Sequence, residues 1–325
     1  MTSLLSGLHF VDLYIGEDYC DIKGLEGSLT SRVPAPSEFQ QQIDELRCRC
    51  RETHDVQQEP EFSIVVDDVM FRVTAIMDVF NADIFILRRS SAEIRPLNRI
   101  GLSPALTQFV MDRDTRGLVL CVGEMAAGKS STVASMVKER LTQHGGIGIA
   151  IEDPPETKLN GVHGKGRCIQ VRASRKNGGY GEQLLRALRS GADLILIGEI
   201  RDNDTAFQVA QASINGHLIY STMHAGNIVQ GIERFTTLCK SRTPNANEIL
   251  ADGLAAIFWQ ELEKVPKQGD GGGFSTRLMS RALILSGPNG QSARSKIREG
   301  KFHQLVQEIE EQGRRNVWQG NGNRG

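Results

Sequence analysis

Long apolar runs are missing from this sequence of 325 residues. No stretch approaches the roughly 18 apolar residues that a membrane-spanning helix requires, and the chain does not begin with the basic and apolar regions of a signal peptide. These absences argue against an integral membrane protein or a secreted one. We expect a cytoplasmic protein that meets a membrane only peripherally, through protein partners.

An excess of charge is missing too, because 38 Lys and Arg residues face 39 Asp and Glu residues, for a net charge of −1 at pH 7. This balance argues against a protein that binds nucleic acid through a general basic field. It does not exclude a local basic channel. Aromatic residues make up 6% of the chain and are not clustered, which disfavours a stacking groove for single strands. We expect no direct nucleic-acid partner.

Paired cysteines are absent as well. The six cysteines form neither C-x-x-C knuckles nor the even framework of a small disulfide-bonded domain. We therefore expect reduced thiols, as in the cytosol, and no tetracysteine zinc module. The cysteines are Cys20, Cys48, Cys50, Cys121, Cys168 and Cys239.

What the sequence does contain is the segment Gly-Glu-Met-Ala-Ala-Gly-Lys-Ser at 123–130, between the apolar run 117–122 and a helix-prone segment from Ser131. A strand, G-x-x-x-x-G-K-S and a helix in this order are typical of a phosphate-binding loop. Backbone N–H groups and the helix start can hold phosphates, Lys129 can neutralise their charge, and Ser130 can offer a hydroxyl to Mg²⁺. We predict that ATP and Mg²⁺ bind here, at Gly123, Glu124, Met125, Ala126, Ala127, Gly128, Lys129, Ser130 and Ser131.

Acidic residues follow two other apolar segments. Ile151 leads into an acidic cluster that contains Glu152 and Glu156, and the run 192–198 ends at Glu199. Ligands of α/β sheets bind at the carboxyl ends of the strands, where an acid can hold a Mg²⁺-bound water or take a proton from it. Taken singly, each acid could equally be a helix cap or a solvated turn residue.

Two histidines, His217 and His224, bracket a further apolar run. In this position they could sense whether a γ-phosphate is present. A single histidine at a strand end is more often structural. This segment therefore supports a nucleotide site only in combination with the phosphate-loop segment and the two acidic segments.

Periodicity and composition predict three regions, at 1–100, 101–240 and 241–325. The first mixes short strands with a charged helical run at 37–54 and should form a mostly antiparallel sheet with a helix on one face. The polar stretch 90–101 is the expected linker.

The second region alternates helices with apolar strands, which should be buried on both faces of a mainly parallel sheet. The third region should hold amphipathic helices around a glycine-rich loop and end in a polar tail too poor in apolar residues to fold. The strands are predicted at 118–122, 147–151, 193–197 and 217–222, the first helix at 105–112, the later helices at 244–263 and 292–312, the loop at 269–273 and the tail from 319.

The four segments, in this order, resemble the signatures of the secretion and type IV pilus motor ATPases, the superfamily of GspE-like, PilB-like and PilT-like hexamers. GEMAAGKS stands for Walker A, IEDPPE for the Asp box, ADLILIGEIRD for an atypical Walker B and GHLIYSTMHA for the His box. The resemblance implies an α/β fold, with an N-terminal PAS-like α/β domain, a RecA-like P-loop NTPase domain and a C-terminal helical segment. It also implies a homohexamer that works with inner-membrane components of a secretion or pilus machine.

The resemblance assigns roles to the acids and histidines. Glu199 would be the catalytic glutamate and a Mg²⁺ ligand, directly or through water, while Glu152 and Glu156 would support it. Whether Glu156 or Glu199 is the main general base stays open. His217 and His224 would couple the γ-phosphate to the subunit interface.

Three arginines match places from which arginines approach the nucleotide in this superfamily: Arg72, Arg88 and Arg116. A guanidinium group suits a triphosphate because its planar donors pair with phosphate oxygens. Each arginine could also be an ordinary surface ion-pair partner.

Some positions depart from the superfamily pattern. Met125-Ala126-Ala127-Gly128 replaces the usual Thr-Gly-Ser-Gly, so one glycine is lost, and Glu124 adds an acid beside the phosphate site. The tetracysteine zinc module of assembly motors is missing, and we expect the far C-terminal helices of pilus retraction motors to be missing after Trp318. Together these departures favour the PilT-like ATPases of type IVB secretion and conjugation, the DotB and TraJ group.

Two other functions remain open at this point. One is a RecA-like DNA translocase, which stimulation of ATP hydrolysis by single-stranded DNA would support. The other is a non-motor, ATP-dependent assembly factor of a secretion complex, which nucleotide-dependent ring formation and partner binding would distinguish from a motor.

Overall fold

The structure is a computed structural model that describes residues 7–67, 69–90, 93–266, 274–287 and 290–321. The chain divides into two compact units. The first comprises the chain up to Glu93 together with Asp153–Lys158, and the second comprises Ile94–Glu152 and the chain from Leu159 onward. None of the helices in the described ranges has the length and apolar character needed to span a bilayer.

A six-stranded antiparallel sheet and one helix build the first unit. Along the sheet the strand order is third, second, first, sixth, fifth, fourth. This arrangement confirms the predicted antiparallel sheet and helix. The elements are β1 (Asp12–Ile15), β2 (Cys20–Lys23), β3 (Arg32–Pro34), α1 (Gln40–Gln57), β4 (Glu61–Val66), β5 (Val69–Met77) and β6 (Asp83–Ser90).

The core of the first unit lies between α1 and the sheet. Helix α1 buries Ile43, Leu46 and Cys50, a helical spacing that places all three on one face. They belong to the same buried cluster as Phe62 and Phe85 from the strands. The alternation of buried and exposed residues along β4 shows that one face of the sheet carries this core.

An eight-stranded, mostly parallel sheet forms the centre of the second unit. The strand order is β14-β13-β7-β12-β11-β8-β10-β9, and only the two outermost pairings are antiparallel. The elements are α2 (Pro104–Met111), β7 (Gly117–Gly123), α3 (Lys129–His144), β8 (Gly146–Glu152), β9 (Gly161–His163), β10 (Gly166–Arg172), α4 (Gly179–Leu188), β11 (Leu194–Ile197), α5 (Asn203–Ile214), β12 (Leu218–His224), α6 (Ile228–Lys240), α7 (Ala246–Gly253), β13 (Leu254–Pro266), β14 (Phe274–Ile284), α8 (Gln291–Arg298) and α9 (Leu305–Asn321).

Helices cover both faces of this sheet. All seven residues of β7 are buried; Leu118 and Leu120 face the cluster that holds α4 to α8, while Val119 and Cys121 face α2 and α3. The four predicted apolar strands are confirmed as β7, β8, β11 and β12. The α/β fold class is confirmed with them.

The prediction of one helix over 244–263 is wrong beyond Gly253, because α7 ends there and β13 begins. β13 lies between β7 and β14, so its first half is buried on both faces and has a continuous apolar sequence. Periodicity alone does not distinguish such a run from a buried helix.

The polar tail also differs from its prediction, since α9 continues to Asn321. Residues 322–325 and the glycine-rich loop predicted at 269–273 lie outside the described residues.

Candidate functional site

The loop between β7 and α3 turns tightly at the carboxyl edge of the parallel sheet. Gly128 precedes α3 with φ of 80°, and Ala126 has φ of 61°. Both angles are in the left-handed region, which glycine adopts without strain and alanine adopts at a cost of roughly 1–2 kcal/mol. Ala126 stands where the superfamily pattern has glycine, so the loop keeps the backbone shape although the residue type has changed.

Lys129 is buried at the first position of α3, with 7% of its surface exposed. Its Nζ donates hydrogen bonds to the carbonyl oxygens of Gly123 at 2.9 Å and Glu124 at 2.7 Å. The ammonium group is thus held over the loop by backbone acceptors. A triphosphate seated in the loop would offer it a stronger, anionic partner.

His224 and Glu199 lie beside this lysine. His224 Nδ1 is 3.4 Å from Lys129 Nζ, and His224 Nε2 is 3.7 Å from Glu199 Oε1. An ammonium group can only donate, so the lone pair of Nδ1 faces Lys129 and the proton of a neutral ring sits on Nε2, toward the carboxylate. Lys129, His224 and Glu199 therefore form one continuous line of polar groups.

Neighbouring strands fix the position of Glu199. Thr222 on β12 donates from Oγ1 to the carbonyl of Gly198 at 2.7 Å, and Ile200 N donates to the carbonyl of Thr222 at 2.9 Å. These two bonds hold the peptide groups on either side of Glu199. The glutamate is therefore anchored at the end of β11, although its side chain is partly exposed.

Glu152 joins the same edge of the sheet from β8. It is 6% exposed, and its Oε2 accepts a hydrogen bond from Gln170 Nε2 at 2.6 Å. A side chain at Gly198 would come within 3.4 Å of Glu152 Cα and Cγ. Glu152 thus packs directly against the segment that carries Glu199.

Glu156 belongs to the first unit and faces Arg72 there. Arg72 donates from Nη2 to Glu61 Oε2 at 2.8 Å, and its Nη1 is 3.9 Å from Glu156 Oε1. The backbone of this acidic segment is attached to the same unit, because Ser63 Oγ donates to the carbonyl of Pro155 at 3.0 Å. Two carboxylates thus share one guanidinium group.

The other two predicted arginines have partners within their own units. Arg88 forms a fork with Asp12, at 2.7 Å from Nε and 3.1 Å from Nη2, and this hydrogen bonding raises the pKa of Arg88. Arg116 donates to the carbonyls of Arg113 and Thr115, just before β7. Arg116 therefore lies at the opposite end of β7 from the loop.

His217 is also separated from the cluster, contrary to its predicted place beside the γ-phosphate. Its carbonyl accepts a hydrogen bond from Gly117 N, at the amino-terminal end of both strands, whereas His224 pairs with Gly123 at the carboxyl end. The two histidines are seven positions apart along this extended segment. At ~3.3 Å per residue that spacing is about 23 Å.

The donors at this edge fit Mg²⁺ that arrives with a nucleotide. Ser130 offers a hydroxyl and Glu199 a carboxylate, and Mg²⁺ usually takes one or two such protein oxygens and completes its shell with phosphate and water. Within the described residues, no group of three or more His, Cys, Asp or Glu side chains could hold a metal ion by itself.

Sequence reasoning missed two polar residues of this region, Thr222 and Gln260. Gln260 is completely buried on β13 and donates to the carbonyl of Ala127 in the loop. The predicted helix over this segment hid it. A glutamine directly after the apolar run 254–259 was the available signal, since a buried amide needs a partner.

Three features together define a P-loop nucleoside triphosphatase fold: the parallel sheet, the phosphate loop that leads into α3, and the strand-end glutamate beside Lys129. Residues 54–317 match the family described as type II/IV secretion system protein, T2SSE. The chain belongs to this family.

Known proteins resemble the chain in sequence and in fold. The type IV pilus retractation ATPase PilT of Pseudomonas aeruginosa is 29% identical over 257 residues, which cover 78% of this chain and 70% of that protein. The crystal structure of the pilus retraction motor PilT with bound ADP superposes with a TM-score of 0.73 at 24% identity, covering 92% of this chain and 85% of that one. The X-ray structure of the Legionella pneumophila ATPase DotB gives 0.69 at 18% identity, covering 92% and 84%.

At these identities the two structures establish the shared fold. The higher of the two TM-scores belongs to PilT, so membership of the DotB and TraJ group stays a prediction. The chain aligns with 70% of the length of PilT and with 65% of the length of another curated relative.

Proposed function

We propose that the chain is a Mg²⁺-dependent ATPase that assembles as a homohexamer and powers a bacterial type IV pilus or type IV secretion machine, including conjugative transfer. The single observation that supports the chemistry best is the line of contacts from Lys129 through His224 to Glu199 beside a phosphate loop. A charge that binds phosphate and a base for water are needed within a few ångströms of each other for hydrolysis, and this line supplies both.

In this proposal the residues divide the work. The loop and Lys129 bind the β- and γ-phosphates, Glu199 orients and accepts a proton from the attacking water, and Glu152 keeps the segment of Glu199 in place. When bound, Mg²⁺ would be held by Ser130 and Glu199 and would neutralise phosphate charge. His224 lies between the lysine and the glutamate, so loss of the γ-phosphate would change the contacts of His224 at the end of β12.

Arg72 is the arginine that we assign to the triphosphate, because its partly exposed guanidinium group is held by two surface carboxylates rather than by a buried one. Arg88, in contrast, is bound to the buried Asp12. A head-to-tail ring would let Arg72 act on the nucleotide of a neighbouring copy. Membrane components of the machine would be the partners of the ring, which itself would work on the cytoplasmic side of the inner membrane.

Phosphate release by the purified chain, with Mg²⁺ and with EDTA, tests the activity directly. We expect Mg²⁺-dependent turnover in the wild type and a loss of at least a hundredfold in Lys129→Ala, because the lysine charge is replaced by a methyl group in a buried site. Lys138→Ala is the matched control, since this lysine lies on the same helix and its ammonium group faces the backbone carbonyl of Ile94.

Light scattering with ATP, ADP and no nucleotide tests the ring. A mass of six chains is the expected result. No turnover in the wild type under any of these conditions would refute the proposed activity, and turnover stimulated by single-stranded DNA would favour a DNA translocase instead.

A further inference from the structure

Gln260 is a buried polar residue for which the hydrolysis chemistry above has no role. It lies on β13 with none of its surface exposed. Its Nε2 donates to the carbonyl oxygen of Ala127 at 2.6 Å, and its Oε1 is 3.5 Å from the thiol of Cys121 on β7. Both partners belong to the strand and loop that would bind phosphate.

The surroundings allow only one orientation of this amide. Ala127 presents a carbonyl oxygen, which accepts but never donates, so the NH₂ group of Gln260 must face it. Burial raises the pKa of the Cys121 thiol, which therefore keeps its proton and can donate to Oε1. Each end of the amide thus has a partner of the right kind.

The hydrogen bond to Ala127 also sets the direction of the next N–H group. In a trans peptide the C=O and the following N–H lie in the same plane and point in opposite directions. A carbonyl of Ala127 that is drawn toward β13 therefore turns the N–H of Gly128 away from β13. This N–H lies immediately before Lys129, where backbone donors of such loops meet phosphate.

The two ends of the loop, at Gly123 and Gly128, pack closely against β13. A Cβ added to Gly123 would meet the carbonyl oxygen of Gln260 at 2.4 Å, and one added to Gly128 would lie 3.4 Å from Gln260 Nε2 and 3.3 Å from Leu262 Cδ1. A Cβ at Gly123 would therefore clash with the backbone of this strand, while one at Gly128 would be tight against its side chains. The loop is built against β13 at its beginning and at its end.

We propose that Gln260 is a positioning residue, which holds the peptide between Ala127 and Gly128 in the orientation that binds a nucleoside triphosphate. This inference rests on the proposed function, because the ligand is the same ATP. It adds a strand far along the chain to the binding site. Gln260 does not touch the nucleotide; it acts through the loop backbone.

The test compares Gln260→Leu and Gln260→Glu with a matched control, Gln183→Leu. Gln183 is also buried, with 7% of its surface exposed, and also donates from its amide to a backbone carbonyl, that of Asn177 at 2.8 Å, but it lies on α4. Binding of ATP is measured with a fluorescent ATP analogue. The thermal midpoint is measured with and without ATP, and KM and kcat are measured separately.

We expect the Kd and the KM for ATP to rise at least tenfold in Gln260→Leu, and further in Gln260→Glu, where a carboxylate faces a carbonyl. The rise in thermal midpoint on adding ATP should shrink in both variants. Gln183→Leu should lower the midpoint of the free protein while leaving the Kd, the KM and the ATP-induced shift within threefold of wild type.

Two results would overturn the inference. One is a Kd within threefold of wild type in a folded Gln260 variant, and the other is an equal rise in Kd in Gln183→Leu, which would mean general destabilisation. If Gln260→Leu does not fold, Gln260→Glu decides the question by the same Kd criterion, and failure of both to fold would make the residue structural and overturn its positioning role. An inactive wild type that binds no ATP would instead refute the proposed function itself.

Discussion

At the scale of single residues, direction along a strand decides which of two similar histidines can meet the nucleotide. His217 and His224 are in the same sequence segment, but β12 carries only His224 to the carboxyl edge of the sheet. The resemblance assigned both histidines to one signature, the His box. The extended strand keeps the two histidines apart, and the parallel pairing of β12 with β7 places His224 at the edge that holds the phosphate loop. This pairing is a tertiary contact that no local pattern contains.

The two histidines therefore make a matched pair of variants. We expect His224→Ala to lower kcat by roughly tenfold to a hundredfold with a small change in KM, because Glu199 loses the ring that orients it. His217→Ala should have a clearly smaller effect on kcat. Steady-state ATP hydrolysis at equal protein concentration measures both, and a His217→Ala defect as large as that of His224→Ala would show that the far edge of the sheet takes part.

The residues of the phosphate loop were the most predictable part of the site. Their spacing, the strand before them and the helix after them are all local features, and the structure has all three. Ala126 shows the limit of this reasoning, since its sequence suggests a loss of conformational freedom while its φ of 61° shows that the loop keeps the strained shape.

At the scale of elements, the acidic end of the Walker B-like segment serves the fold as well as the site. Asp202 caps α5: its Oδ1 accepts from Thr205 N and its Oδ2 from Thr205 Oγ1, each at 2.8 Å. Asp202 is thus the helix cap that was the alternative explanation for an acid at a strand end. Three residues earlier, Glu199 has no such duty in this helix.

Removing this cap should cost stability but not chemistry. We expect Asp202→Ala to lower the free energy of unfolding by about 1 kcal/mol, and Asp202→Ser to lower it much less, because serine can also cap. Urea unfolding followed by circular dichroism measures both. Equal losses in the two variants would contradict the capping role.

Elements near the middle of the sheet were predicted well, and the hairpin of β13 and β14 was not. Strands β7, β8, β11 and β12 are bounded by glycine, acidic or histidine residues, and β7, β11 and β12 are each followed directly by a helix. β13 follows α7 without a break at Leu254, and the dipeptide Asp252-Gly253 is the one local signal that marks the change from helix to strand. Gln260 was missed for the same reason.

At the scale of the whole molecule, the acidic segment is divided between the two units. Glu152 belongs to the second unit and packs beside Gly198, whereas Asp153–Lys158 belongs to the first, where Glu156 faces Arg72. The sequence presented these acids as one cluster with one purpose. The structure gives them two settings, one in each unit.

Hydrolysis and binding of ATP by Glu199→Gln, measured on the same preparation under single-turnover conditions, test the convergence of Lys129, His224 and Glu199 most directly. Glutamine keeps the shape but cannot accept a proton, so we predict that ATP binds within a few-fold of wild type while hydrolysis slows at least a hundredfold. Glu182→Gln, an exposed glutamate paired with Arg186 on α4, is the control and should hydrolyse normally. Hydrolysis by Glu199→Gln at the wild-type rate would contradict the assignment of this site.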